Sequence, residues 1–173
     1  MDIAGSISIA TDFIATQESF SPTAYWDVNG YAIGYGNHYY EDGSAVQQGD
    51  TITQDDAYSL LQFYAGQNAN AIAVQLTVDQ NADQLAALTS IRYNCGTITT
   101  TLLNLINSGA DPGTVGAQIE QTCITSGGVT DPVLIARRQL ESALYQSTGV
   151  GAGTGILLAA AVGLALFIMF GKK

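Results

Sequence analysis

Two carboxylic acids, Glu18 and Asp27, stand nine residues apart in the stretch ESFSPTAYWDVNGYAIGYGNH, which runs from Glu18 to His38. A pair of acids facing each other across a cleft is the basic equipment for cleaving a glycosidic bond. One carboxyl protonates the leaving oxygen, while the other stabilises the sugar cation or activates water. Gly30, Gly34 and Gly36 permit the tight bends that positive φ requires, and Tyr31, Ala32 and Ile33 between them suit one strand of a hairpin. The expected layout is an acid at the end of a helix opposite a second acid at the lip of a sheet. Each residue also has a plainer reading. Glu18 is then a solvent-exposed helix end, Asp27 a turn residue beside Val28-Asn29-Gly30, and His38 an exposed turn histidine. Tyr25, Trp26, Tyr31 and Tyr35 are either sugar-stacking surfaces or core.

Helical periodicity supplies the elements that would carry these residues. Ile9, Phe13 and Ile14 share one face of a first helix, with Glu18 a turn further on, and Ser21-Pro22 forbids continuation. Residues 25–52 are rich in Gly, Tyr and Asn and read as a small antiparallel sheet, turning at Asn29-Gly30, Asn37-His38 and Asp42-Gly43. Thr53 then caps a helix favoured by Asp55 and Asp56, with Ala57, Leu60, Leu61 and Tyr64 at helical intervals to about residue 75. Further helices are predicted near 82–94, 98–107 and 114–122. Ser126-Gly127-Gly128 reads as loop, and Asp131-Pro132 opens the last helix, with Leu134, Leu140 and Leu144 as its apolar set.

Charge narrows the function. Of five basic residues, Lys172 and Lys173 lie at the C-terminus, so the body has three arginines against fifteen acids, 3 − 15 = −12. A nucleic-acid binder shows a basic face, so nucleic acid is excluded as a partner. Cell-wall polymers are anionic too, and long-range repulsion, screened beyond about 10 Å, favours delivery by tethering over free diffusion. Cys95 and Cys123 are read either as one disulfide or as two buried thiols acting as small hydrophobes. One histidine and no Cys-x-x-Cys spacing leave no zinc site, and nothing implies a cofactor.

A tether is present in the sequence. Met1-Asp2-Ile3 does not resemble a signal peptide. No charge occurs between Glu141 and Lys172; residues 149–155 are a glycine-rich hinge, and 156–170 read ILLAAAVGLALFIMF. As a helix, residues 149–171 would extend about 34 Å, enough for a hydrocarbon core of about 30 Å. The expected organisation is therefore a domain at 1–148, a hinge at 149–155 and a transmembrane anchor at 156–173 with a basic end, placing 156–170 in a lipid bilayer.

The active segment, taken with motifs further along, resembles the phage-type lysozymes, glycoside hydrolase family twenty-four. Glu18 and Asp27 match the family spacing, and Ile33-Gly34-Tyr35-Gly36 matches its turn. Downstream, Ile52-Thr53 with Ala57 and Leu60-Leu61, Tyr93-Asn94-Cys95-Gly96 with Thr100-Thr101-Leu102-Leu103, and Arg137-Arg138-Gln139-Leu140-Glu141 follow in family order over roughly residues 9–146. The family threonine is missing: its place is taken by Ala32, one residue closer to Asp27. Near Cys123 many relatives carry a tryptophan.

The resemblance implies an α+β lysozyme-like fold, with a small antiparallel sheet lobe and a mainly helical lobe, here followed by one transmembrane helix. It implies a muramidase that cleaves peptidoglycan glycan strands. Glu18 would be the general acid, kept protonated by burial that raises its pKa, and Asp27 the second carboxylate. Tyr25, Tyr35 and His38 are the expected substrate contacts, while Arg137 and Arg138 are read as structural ion pairs. Because alanine cannot hydrogen-bond an attacking water, hydrolysis, lytic transglycosylation and an inactive lysozyme-like structural protein all remain open. A C-terminal anchor suggests a virion with its own membrane, in contact with other virion proteins, or else the host inner membrane.

Overall fold

The computed structural model describes residues 1–147. The expected hinge and transmembrane anchor lie outside them; among the described residues no helix is long and apolar enough to cross a membrane. Helix α1 spans Ile3–Gln17. It is started by Asp2, whose side chain accepts a hydrogen bond from the Gly5 N–H at 2.9 Å. It stops at Glu18, which turns extended with ψ 138° and leads into the hairpin. Ile9, Ala10, Phe13 and Ile14 form its buried face.

Strands β1 (Ser21–Asp27) and β2 (Gly30–Gly34) pair antiparallel, with Trp26 opposite Tyr31, Asp27 opposite Gly30, and an irregularity between Ser21 and Tyr25. The predicted sheet over 25–52 is smaller than expected. After Gly34 the chain makes only isolated bridges, Ile33 with Asn37, Tyr39 with Ala45, and Thr23 with Thr51. Gly36, Gly43 and Gly49 adopt φ of 88°, 83° and 93°, and such residues interrupt an extended path.

The helical body consists of α2 (Gln54–Ala73), α3 (Ala82–Cys95), α4 (Thr100–Asn107), α5 (Pro112–Ile119) and α6 (Pro132–Tyr145). Their starts are written in the sequence. Thr53 caps α2, Asn81 and Gln84 form a reciprocal capping box on α3, and Asp111 and Asp131 each precede a proline in the first turn. Helix α5 begins two residues earlier than predicted because Pro112 fits its first turn. Between α5 and α6, Thr125–Ser126 (β3) and Val129–Thr130 (β4) make a second hairpin where a loop was expected. Its turn is Gly127-Gly128, both with positive φ, a pair suited to a two-residue hairpin loop.

Helix α3 is the central post, packed by α1, α2 and α6. Leu85, Ala86, Ala87, Leu88 and Ile91 are fully buried in it. Each large aliphatic side chain so buried contributes about 1.5–3 kcal/mol relative to exposure. Helix α6 is different. Beside Leu140 and Leu144 its buried face holds Arg137, Arg138 and Glu141, so charged residues occupy positions that apolar periodicity does not mark.

Cys95 and Cys123 are free thiols rather than a disulfide. They are not both buried either, since Cys123 is exposed and carries a φ of 57°. Burial, then the neighbouring Cys123, push the Cys95 thiol up to about 12.

Candidate active site

Glu18 sits where α1 hands over to β1. Its backbone N–H donates to the Ile14 carbonyl at 2.9 Å, which closes the helix and fixes the side chain's point of departure. Its Oε1 accepts from Arg137 Nη1 at 2.6 Å, and the side chain is 29% exposed. Burial alone was expected to hold a proton on Glu18. The arrangement found is another, a partly open carboxylate clamped by an arginine.

That arginine belongs to a buried network. Arg137 Nε faces Glu141 Oε1 at 3.3 Å, Ser90 Oγ donates to the same oxygen at 2.6 Å, and Arg138 Nη1 donates to Glu141 Oε2 at 2.5 Å. Arg138 also donates to Asn94 Oδ1. Two acids and two bases balance, which is how buried charge becomes tolerable. Burial works against the charge on Arg137, yet Glu141 and then Glu18 more than offset it, and its pKa lies above the ordinary value. Burial pushes the Glu141 carboxyl up, and Arg138 and Arg137 act in the opposite sense. Arg137 has Glu141 as a second counter-ion, so its buried charge does not depend on Glu18 alone.

Tyr93, on α3, was not singled out from the sequence as a site residue. Its hydroxyl donates to the Tyr35 carbonyl at 2.9 Å. Burial raises its pKa, with the Glu18 charge as the next cause and Arg137 opposing. The RRxxE and Tyr-Asn-x-Gly motifs were visible as family-like segments, but nothing in their spacing says that α3 and α6 converge on Glu18.

Asp27 closes β1 at the hairpin turn. Its Oδ1 accepts from the Val28 N–H at 2.7 Å, and its Oδ2 lies 3.3 Å from His38 Nε2. The Tyr25 phenol is pushed up by burial, then by the charges of Asp27 and Glu18. At 41% exposed it keeps a surface open to a ligand. Tyr35 does not: its ring is 5% exposed and packs on Phe20 with centroids 5.7 Å apart, which makes it core and corrects the expectation of a sugar contact. His38 is not a free turn residue: its ring contacts Asp27 and the Tyr31 carbonyl while staying partly exposed. Ala32 is fully buried opposite Tyr25.

A helix-end acid held by an arginine and a hairpin acid, in a fold with a small β lobe and a helical lobe, fit a glycoside hydrolase of lysozyme type. Known proteins agree. The pattern of the family described as phage lysozyme matches residues 15–141. The chain is 30% identical over 122 residues to the endolysin of Acyrthosiphon pisum secondary endosymbiont phage 1, covering 68% of this chain and 80% of that protein. Among solved structures it is similar to the endolysin from Escherichia coli O157:H7 phage FAHEc1, at 26% identity and a TM-score of 0.71, covering 81% of this chain and 92% of that one. A P22 lysozyme mutant gives 26% identity and a TM-score of 0.68, covering 81% and 97%. The chain belongs to the phage lysozyme family and is a lysozyme-type glycoside hydrolase acting on peptidoglycan.

Proposed function

We propose that this lysozyme works from a membrane anchor, associated with a virion, and opens the glycan strand of the wall during passage into the cell or during lysis. Glu18 is its general acid and Asp27 its second carboxylate, with Tyr25 as a sugar-facing surface. The observation that carries the catalytic assignment is the Glu18–Arg137 contact at 2.6 Å backed by Glu141. It fixes one oxygen of a partly exposed acid on a rigid support while leaving it free to exchange a proton. The anchor rests on sequence: an uncharged run from residue 142 to 171 that ends in Lys172-Lys173. An anionic wall repels a body of this charge, so a tether supplies the proximity that electrostatics does not.

Mass spectrometry of peptidoglycan digested by the full chain tests the chemistry. Hydrolysis leaves reducing sugar ends that have gained a water, whereas anhydro ends, lighter by one water, would make this a transglycosylase. No digestion at all would favour a structural role in a membrane-containing virion. Truncation after residue 148 should move the protein from the membrane fraction to the soluble one. Equal partitioning of truncated and full chains into vesicles would refute the anchor.

A further inference from the structure

We propose that His38 is the positioning residue of Asp27, an inference that rests on Asp27 being the second carboxylate. The argument begins with hydrogens. His38 Nδ1 lies 3.0 Å from the Tyr31 carbonyl oxygen, and a carbonyl only accepts, so Nδ1 carries a proton. Nε2 lies 3.3 Å from Asp27 Oδ2, and an ionised carboxylate also only accepts. The ring therefore bridges the Tyr31 carbonyl and the Asp27 carboxyl.

The ring is held by a backbone that cannot drift. The Asn37 N–H and C=O are both bonded to Ile33 at 3.0 Å, and the His38 carbonyl accepts from the buried Val46 at 2.9 Å. The histidine is thus rooted in β2 and the loop behind it, and it reaches over Gly30 to the acid. Asp27 needs such a partner. Its side chain is 46% exposed at a hairpin turn, and only the adjacent Val28 N–H holds its other oxygen. With both oxygens engaged the carboxylate has one orientation, and each oxygen keeps a lone pair for water or for the developing sugar cation. Ala32 offers no hydroxyl, and its methyl is buried. The orientation of Asp27 therefore decides where the attacking water sits on this side of the cleft.

The test is a kinetic cycle on the full chain in mild detergent with purified peptidoglycan, using His38→Ala, Asp27→Asn and the double variant. His38→Ala should lower kcat by about three- to tenfold with KM within about twofold, the range expected for one half-exposed pair that orients a reacting group. On the Asp27→Asn background the same change should add nothing. A raised KM with kcat intact would make His38 a sugar contact and overturn the proposal. Independent, multiplying losses in the double variant would overturn it too. Full activity of Asp27→Asn would instead remove Asp27 as a catalytic group, a separate failure of the underlying reading. If His38→Ala unfolds the lobe, His38→Gln, which keeps a donor, takes its place in the same cycle. His38 is the sole histidine of the sequence, so its ring nitrogen signals in NMR give a second readout that needs no turnover. They should change on Asp27→Asn, and identical signals would disprove the contact.

Discussion

Glu18 and Asp27 are held by opposite means. Glu18 takes its partner from α6, 119 residues away in the chain, and that partner is locked to Glu141 and Ser90 inside the helical lobe, with Arg138 on the other oxygen of Glu141. Asp27 takes its partners from its own hairpin and the loop just beyond, and both it and His38 are partly open to water. Low dielectric strengthens the first set of contacts and leaves the second weak. On the proposed roles, the acid that would deliver a proton along a fixed line is on the rigid side, and the acid that would accommodate water and a changing sugar is on the softer side.

The sharpest way to break this contrast is to remove each acid in turn. Glu18→Gln keeps the size and the ability to accept from Arg137 but cannot supply the proton, so turnover should fall at least about a hundredfold. Its melting temperature should stay close to that of the parent. Asp27→Asn should cost less, about tenfold, because a neutral amide still orders water on a side that is already solvated. Equal losses in the two variants, measured by release of soluble muropeptides, would mean that the acids share their work and that the asymmetry of their supports has no catalytic meaning.

Stability should show the same contrast. Arg138→Met leaves the fully buried Glu141 with Arg137 as its one charged partner among the described residues, and Arg137 is then pulled between Glu141 and Glu18. Removing one partner of a buried pair costs about 3–5 kcal/mol, so the urea midpoint should drop sharply, with activity falling as Glu18 loses its clamp. On the other side, the half-exposed His38–Asp27 pair contributes at most about 1 kcal/mol. A small stability loss for Arg138→Met would show that the network is dispensable to the fold.

Much of this was legible beforehand, and the rest was hidden for identifiable reasons. Helix starts were readable where caps are local, as at Thr53 and Asp131-Pro132, which act on the very next turn, whereas the start at Pro112 was placed two residues late. The acid pair was readable because both acids lie in one short segment with glycine punctuation. That Arg137 and Arg138 form ion pairs was readable, but Glu18 as a partner of Arg137 was not, since that pair is created only when α3 brings the end of α1 and α6 together. The packing of Tyr35 and His38 was hidden for a related reason. A tyrosine between two glycines looks exposed until Phe20 covers it, and a turn histidine looks free until the hairpin returns Asp27 to it.

Ala32 sharpens the comparison with the smallest effect. If the softer side depended on a hydroxyl at this position, Ala32→Thr would raise kcat by restoring it. The structure argues otherwise. Ala32 is fully buried opposite Tyr25 in the one hairpin that carries Asp27. A threonine there adds a hydroxyl and a carbon to a filled site, and overpacking of this kind costs about 1–3 kcal/mol. Strain would fall on the β1–β2 pairing and so on the turn that aims Asp27. The expected result is no gain in kcat, a melting temperature a few degrees lower, and the same hydrated sugar ends in the digest. A rise in kcat at unchanged stability would show that water does reach position 32 and that its placement is shared between Asp27 and the backbone beside it.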